Sequence, residues 1–247
     1  MTSHPRAKDK IILPLDVPDE ASALRLFNQL AGQVNFYKIG LELFTRCGPG
    51  IIDRVKGAIQ AANGEDGRIF LDLKLHDIPN TVAGAVRSAT SLNVDMLTIH
   101  LSGGGPMVRA ATAQAGKLLL LGVSVLTSSD ETTLRETGVN GDVAEQVMRL
   151  AQLGADCGMR GVVASPQEIV ALRSRFGADL IIVTPGVRPA WAGGQDDQRR
   201  VLTPRQAVEA GADYLVIGRP ISAQPDPAAA ARRIIAEIDE ACASSGG

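Results

Sequence analysis

Aromatic residues are scarce in this sequence: one Trp, two Tyr and five Phe among 247 residues. That leaves few platforms on which nucleic-acid bases could stack. A formal net charge of −2 supplies no basic field for a phosphate backbone, so no nucleic-acid partner is expected. Cysteine is sparse too. Cys47, Cys157 and Cys242 are far apart, form no Cys-x-x-Cys and allow one disulfide at most, as suits reduced thiols. The three histidines, His4, His76 and His100, show no metal-ligand spacing, and no metal is expected. No apolar run approaches the ~20 residues of a membrane span. Met1-Thr2-Ser3-His4-Pro5-Arg6 has no apolar core behind it and does not read as a signal peptide. The expectation is a cytoplasmic protein with no membrane partner.

What is present is an alternation of strand and helix patterns along the whole chain. Strands are predicted at 11–16, 35–39, 69–75, 95–100, 117–126, 161–164, 180–184 and 214–217, each followed by a helical stretch. A faint repeat supports equivalent units: Asn93-Val94-Asp95, Gly154-Ala155-Asp156, Gly177-Ala178-Asp179 and Gly211-Ala212-Asp213 each stand between a helix and the next apolar strand. Glycine or asparagine there can take positive φ and close the helix. Eight such units with short connections predict a single (β/α)8 barrel over residues 1–247, with frayed tails at about 1–9 and 244–247. Polar residues gather at strand C-terminal ends, namely Asp16, Lys38, Asp72, Lys74, Thr127 and Arg219. That is the face on which barrels of this kind carry their active sites.

The densest cluster is Asp72-Leu73-Lys74-Leu75-His76-Asp77, followed by a proline-opened helix. Strand alternation places Asp72 and Lys74 on one face, with Asp77 in the loop beyond. A lone Asp-x-Lys is more often a structural ion pair; a third charge and a proline-bounded turn favour a catalytic array. A second constellation, Gly218-Arg219-Pro220, ends the last strand where barrels often bind phosphate through backbone N–H groups and arginine. Arg188 leaves strand seven similarly and enters a long polar loop, 188–201, of the kind that forms lids. Gly103-Gly104-Gly105 lacks dinucleotide or Walker spacing and reads as a tight turn. His100 reads as a hydrogen-bonded core histidine, His76 as support, and Trp191 as loop packing.

The string Asp72-Leu73-Lys74-Leu75-His76-Asp77-Ile78-Pro79-Asn80-Thr81 resembles the signature of the orotidine 5′-phosphate decarboxylases, in their bacterial branch. So do Leu15-Asp16-Val17, Tyr37-Lys38-Ile39-Gly40, Leu126-Thr127-Ser128, Pro185-Gly186-Val187-Arg188-Pro189, Asp197-Gln198-Arg199-Arg200 and Gly218-Arg219-Pro220-Ile221, in the family's order. The resemblance implies a cofactor-free carboxy-lyase that makes uridine 5′-phosphate in pyrimidine synthesis. It implies Lys74 as proton donor to C6 of the pyrimidine, Asp72 beside the departing carboxylate, and Lys38 and Asp77 completing a charge network. Asp16 and Lys38 would hold ribose hydroxyls, Thr127 the base, and Arg188, Gln198 and Arg219 the phosphate, with Gly218 supplying a backbone N–H. Asp77, Ile78 and Thr81 would reach the partner's site in a homodimer. Two alternatives stay open at this point: a magnesium-dependent sugar-phosphate decarboxylase or aldolase of the same barrel type, with Asp72 on the metal, and a non-catalytic nucleotide-binding barrel.

Overall fold

The computed structural model describes residues 6–64, 67–192 and 202–244. Eight parallel strands, β1 (Ile11–Pro14), β2 (Phe36–Gly40), β3 (Arg68–Leu75), β4 (Met96–His100), β5 (Leu119–Val123), β6 (Gly161–Val163), β7 (Ile181–Pro185) and β8 (Tyr214–Val216), pair in sequence order, and β1 closes on β8. A short α1 (Ala7–Lys10) precedes β1. Around the barrel run α2 (Glu20–Leu30), α3 (Leu41–Cys47), α4 (Gly50–Asn63), α5 (Pro79–Ser91), α6 (Gly104–Thr112), α7 (Glu131–Glu136), α8 (Val143–Asp156), α9 (Ile169–Phe176), α10 (Pro204–Glu209), α11 (Arg219–Ser222) and α12 (Pro227–Ser244). The expected (β/α)8 barrel is the observed fold.

Period-two alternation sorts the strand residues between two cores. Ile12, Phe36, Phe70, Met96, Leu121 and Val183 fill the barrel interior. The intervening Ile11, Leu13, Tyr37, Ile39, Ile69, Leu71, Leu97 and Ile99 pack outward against the helices. At the N-terminal mouth, the Arg68 guanidinium lies 4.1 Å from the Phe36 ring centroid and donates to the Tyr214 hydroxyl at 3.1 Å. This end is therefore plugged by side chains, and the opposite, C-terminal end is left for a site.

Local chemistry fixes the helix starts. Asp19 and Asp142 accept hydrogen bonds from the backbone N–H of Ser22 and Glu145, and Thr203 and Gln206 form a capping box on α10, each satisfying otherwise orphaned donors. Pro79 opens α5 at its first turn, where the missing N–H costs nothing.

Four expectations need correction. The N-terminal tail was expected to fray to residue 9, but Ala7–Lys10 is helical, with Ala7 buried in the main core and Arg6 paired to Asp9. The single helical stretch expected after β2 is two helices, because Gly48 takes φ 66° and Pro49 follows it. Helix α7, capped by Asp130, was not anticipated. Of the four repeated turns, Asn93, Gly177 and Gly211 do take positive φ. Gly154 instead lies within α8, and left-handed Gly158 closes that connection. Gly154 is small for a different reason: a Cβ there would stand 3.0 Å from the Leu101 side chain. The Asp of the turn has a shared use in two units. Asp95 and Asp213 reach back to accept from the amides of the second residues of the preceding strands, Ile69 and Ile182.

Candidate active site

The C-terminal mouth of the barrel opens into a cavity of about 550 Å³, lined among others by Asp16, Lys38, Phe70, Asp72, Lys74, Thr127, Arg188, Gly218 and Arg219. That volume suits a small-molecule ligand. Phe70, Val123, Val163 and Val216 give the cavity an apolar part of its lining beside these charged groups. A neighbouring cavity of about 510 Å³ shares Thr127 and Leu126, but the clustered Asp and Lys groups belong to the first.

Four side chains form a line of alternating charge. Lys38 Nζ donates to Asp16 Oδ1 at 2.9 Å and lies 3.4 Å from Asp72 Oδ2; Lys74 Nζ donates to the same Asp72 oxygen at 2.8 Å. The side chains of Lys38 and Asp72 are about one-tenth exposed, whereas that of Asp16 is 63% exposed. Burial alone would raise the Asp72 pKa. The ammonium groups of Lys38 and Lys74 and hydrogen bonds from Lys74 and Thr98 outweigh it, so the carboxyl is held below its ordinary value of 3.8. Gly40 leaves room for this line, since a Cβ there would meet Lys38 Nζ at 3.1 Å and Asp16 Oδ1 at 3.3 Å.

Asp72 and Lys74 do meet, though not by simple alternation. The register runs Leu71 to Leu97 and then Leu75 to Ile99, so four steps on β3 span two on β4. Within this bulge Lys74 adopts φ 48°, an uncommon conformation for a residue with a long side chain. Its backbone N–H donates to Thr98 Oγ1 at 2.8 Å, and Thr98 Oγ1 donates to Asp72 Oδ1 at 2.9 Å. Thr98 is fully buried. Charge patterning does not mark it, although its position between Met96 and His100 on the inward face of β4 is a usable signal.

Asp77, Ile78 and Thr81 do not line this cavity; all three are exposed, Ile78 to 67%, beside it on the loop and first turn of α5. Asp77 Oδ1 accepts from the Ile78 N–H at 2.6 Å. Gln198 and most of the 188–201 loop lie outside the described residues. His100 is only half-buried, its ring centroid 5.5 Å from that of His76 rather than sealed in the core. Burial, with His76 and Lys74 nearby, lowers its pKa. Trp191 packs beneath the Arg233 guanidinium at 4.2 Å. Among the described residues, no three His, Cys, Asp or Glu side chains are grouped to hold a metal ion, and no helix is long and apolar enough to cross a membrane.

Comparison with known proteins places these observations in a family. The family model described as "Orotidine 5'-phosphate decarboxylase / HUMPS family" matches residues 9–234. The chain is 51% identical to an orotidine 5′-phosphate decarboxylase of Moorella thermoacetica, covering 94% of this chain and 93% of that one. It is 48% identical to one of Thermobifida fusca, covering 95% and 97%. The crystal structure of orotidine 5′-phosphate decarboxylase from Lactobacillus acidophilus superposes with a TM-score of 0.80 at 34% identity, over 94% of this chain and 99% of that one.

Proposed function

The chain belongs to the orotidine 5′-phosphate decarboxylase / HUMPS family, and from that premise we propose that it converts orotidine 5′-phosphate to uridine 5′-phosphate and carbon dioxide, with Lys74 as proton donor. The observation that carries this reading is the line Asp16–Lys38–Asp72–Lys74 in a cavity that Arg188 and Arg219 also line. When the C6–carboxylate bond breaks, its electron pair is left on a ring carbon. An ammonium held in place stabilises that developing charge and then supplies the proton that becomes the C6 hydrogen. Asp72 fixes the ammonium from one side and stands where the leaving carboxylate departs. Lys38 and Asp16 take the ribose hydroxyls, and Thr127 the base. Arg188, Arg219 and Gly218, with Gln198, take the phosphate. Binding at the phosphate end, remote from the bond broken, supplies energy that organises the site.

The protein acts as a homodimer in the cytoplasm on this reading. Asp77, Ile78 and Thr81 lie outside their own cavity and are exposed, a placement suited to completing a neighbour's site. The direct test is to incubate the purified protein with orotidine 5′-phosphate, follow the loss of substrate absorbance and identify the products. Turnover to uridine 5′-phosphate that survives a chelator supports the reading. Absence of turnover overturns it, and activity lost to the chelator points instead to a magnesium-dependent reaction.

A further inference from the structure

We propose that Thr98 is a positioning residue for the decarboxylation, its buried hydroxyl holding the backbone bulge of β3 that aims the Lys74 ammonium into the cavity. This rests on Lys74 being the proton donor. A threonine hydroxyl has one hydrogen to give and lone pairs to receive. Ionised Asp72 can only accept, so the hydrogen goes to Asp72 Oδ1 and a lone pair takes the Lys74 N–H. One group thus ties together the carboxylate that fixes Lys74 Nζ and the backbone from which that side chain springs.

The backbone needs the tie. Lys74 lies outside the paired register between Leu71 and Leu75, and its φ of 48° is disfavoured for any residue bearing a Cβ. Such a conformation persists only where its surroundings over-determine it. Thr98 is the partner that receives the Lys74 amide, and it sits on β4 with no solvent exposure. Its β-branched side chain also restricts the rotamer in which the hydroxyl can stand. Removing the hydroxyl leaves the part-buried Lys74 N–H without its acceptor and takes a donor from Asp72. The bulge then relaxes toward ordinary pairing, and Lys74 Nζ no longer meets the reacting carbon at the right point.

The test compares Thr98→Val, which keeps the shape without the hydroxyl, with Thr98→Ser, which keeps the hydroxyl. Thermal melting and uridine 5′-phosphate binding report on the fold. In Thr98→Val, kcat should fall about 10- to 100-fold, the loss expected for one hydrogen bond to a charged group, with KM little changed. The acid limb of its kcat profile should move to higher pH, because Asp72 has lost a donor. Thr98→Ser should recover both kcat and the limb. If Thr98→Val does not fold, Thr98→Ala is set against Thr98→Ser in the same measurements. A folded, nucleotide-binding Thr98→Val with wild-type kcat and an unmoved acid limb overturns the proposal, as does a Thr98→Ser as impaired as Thr98→Val. If Lys74→Ala is inactive while Thr98→Val is normal, only the role of Thr98 fails. If the wild-type protein does not decarboxylate orotidine 5′-phosphate, the functional reading itself has failed.

Discussion

At the scale of single residues, Asp72 shows how a buried carboxylate is made tolerable. Taking an ion out of water is costly unless its partners and hydrogen bonds are well placed, and here two ammonium groups and a hydroxyl surround it. The unfolded chain has no such partners, so between the lowered folded pKa and 3.8 it binds more protons than the fold does. Stabilisation from the charge line is therefore complete above pH 3.8 and is lost as the pH falls through the folded value. The melting-temperature gap between wild type and Asp72→Asn should be steady at neutral pH and narrow below 3.8; a constant gap into strong acid would contradict this. Arg219 also lines the cavity, and on the proposed reading it holds the phosphate. Hydrogen bonds to charged groups contribute ~1.5–3 kcal/mol each, so Arg219→Ala should lose at least that much transition-state stabilisation. The variant should also discriminate less between orotidine 5′-phosphate and its phosphate-free nucleoside, read as kcat/KM for both. An undiminished preference would move the phosphate site elsewhere.

At the scale of elements, the two strands β3 and β4 form one device. β3 carries the charges in a bulge, and β4 supplies Thr98 beneath and His100 above. Burial first, then the proximity of His76 and Lys74, keeps His100 below its ordinary 6.5, with Asp72 opposing them. A histidine more easily protonated in the unfolded chain favours the fold fully above 6.5 and withdraws that support as the pH drops through the folded value. Melting temperature should accordingly fall less steeply below pH 6.5 in His100→Gln than in wild type, and equal slopes would remove His100 from the account. Much of this architecture was legible in the sequence. Alternation marked the eight strands, and turn glycines and Asn93 marked helix ends, because burial and φ restrict residue type directly. The bulge was not legible. Asp72 and Lys74 have the spacing of a regular strand, and only the register against β4 shows two extra residues between Leu71 and Leu75. Gly154 misled for a similar reason: its smallness answers Leu101 across space, which local sequence does not reveal. Thr98 escaped notice as a neutral side chain in an apolar strand, whereas the charged candidates stood out at strand ends.

At the scale of the whole molecule, a closed barrel plugged at one mouth by Arg68, Phe36 and Tyr214 leaves its chemistry at the other. Asp77 does not line its own cavity, so the proposed homodimer can be tested as a catalytic unit. Lys74→Ala and Asp77→Ala protomers, each inactive alone, should regain activity when mixed and exchanged, since one site of the mixed dimer then carries neither substitution. Exchanged heterodimers that stay inactive would show that Asp77 does not serve a neighbour. On the proposed mechanism one ammonium, on a bulged strand, carries the proton to the pyrimidine. That step is tested most directly by the turnover of orotidine 5′-phosphate by wild type and by a folded Lys74→Ala. General acid catalysis is worth ~10²–10⁴-fold, with electrostatic stabilisation by the same group adding to it. The account predicts a loss of at least ~10²-fold in kcat with the melting transition preserved; a folded Lys74→Ala retaining half of wild-type turnover would contradict it.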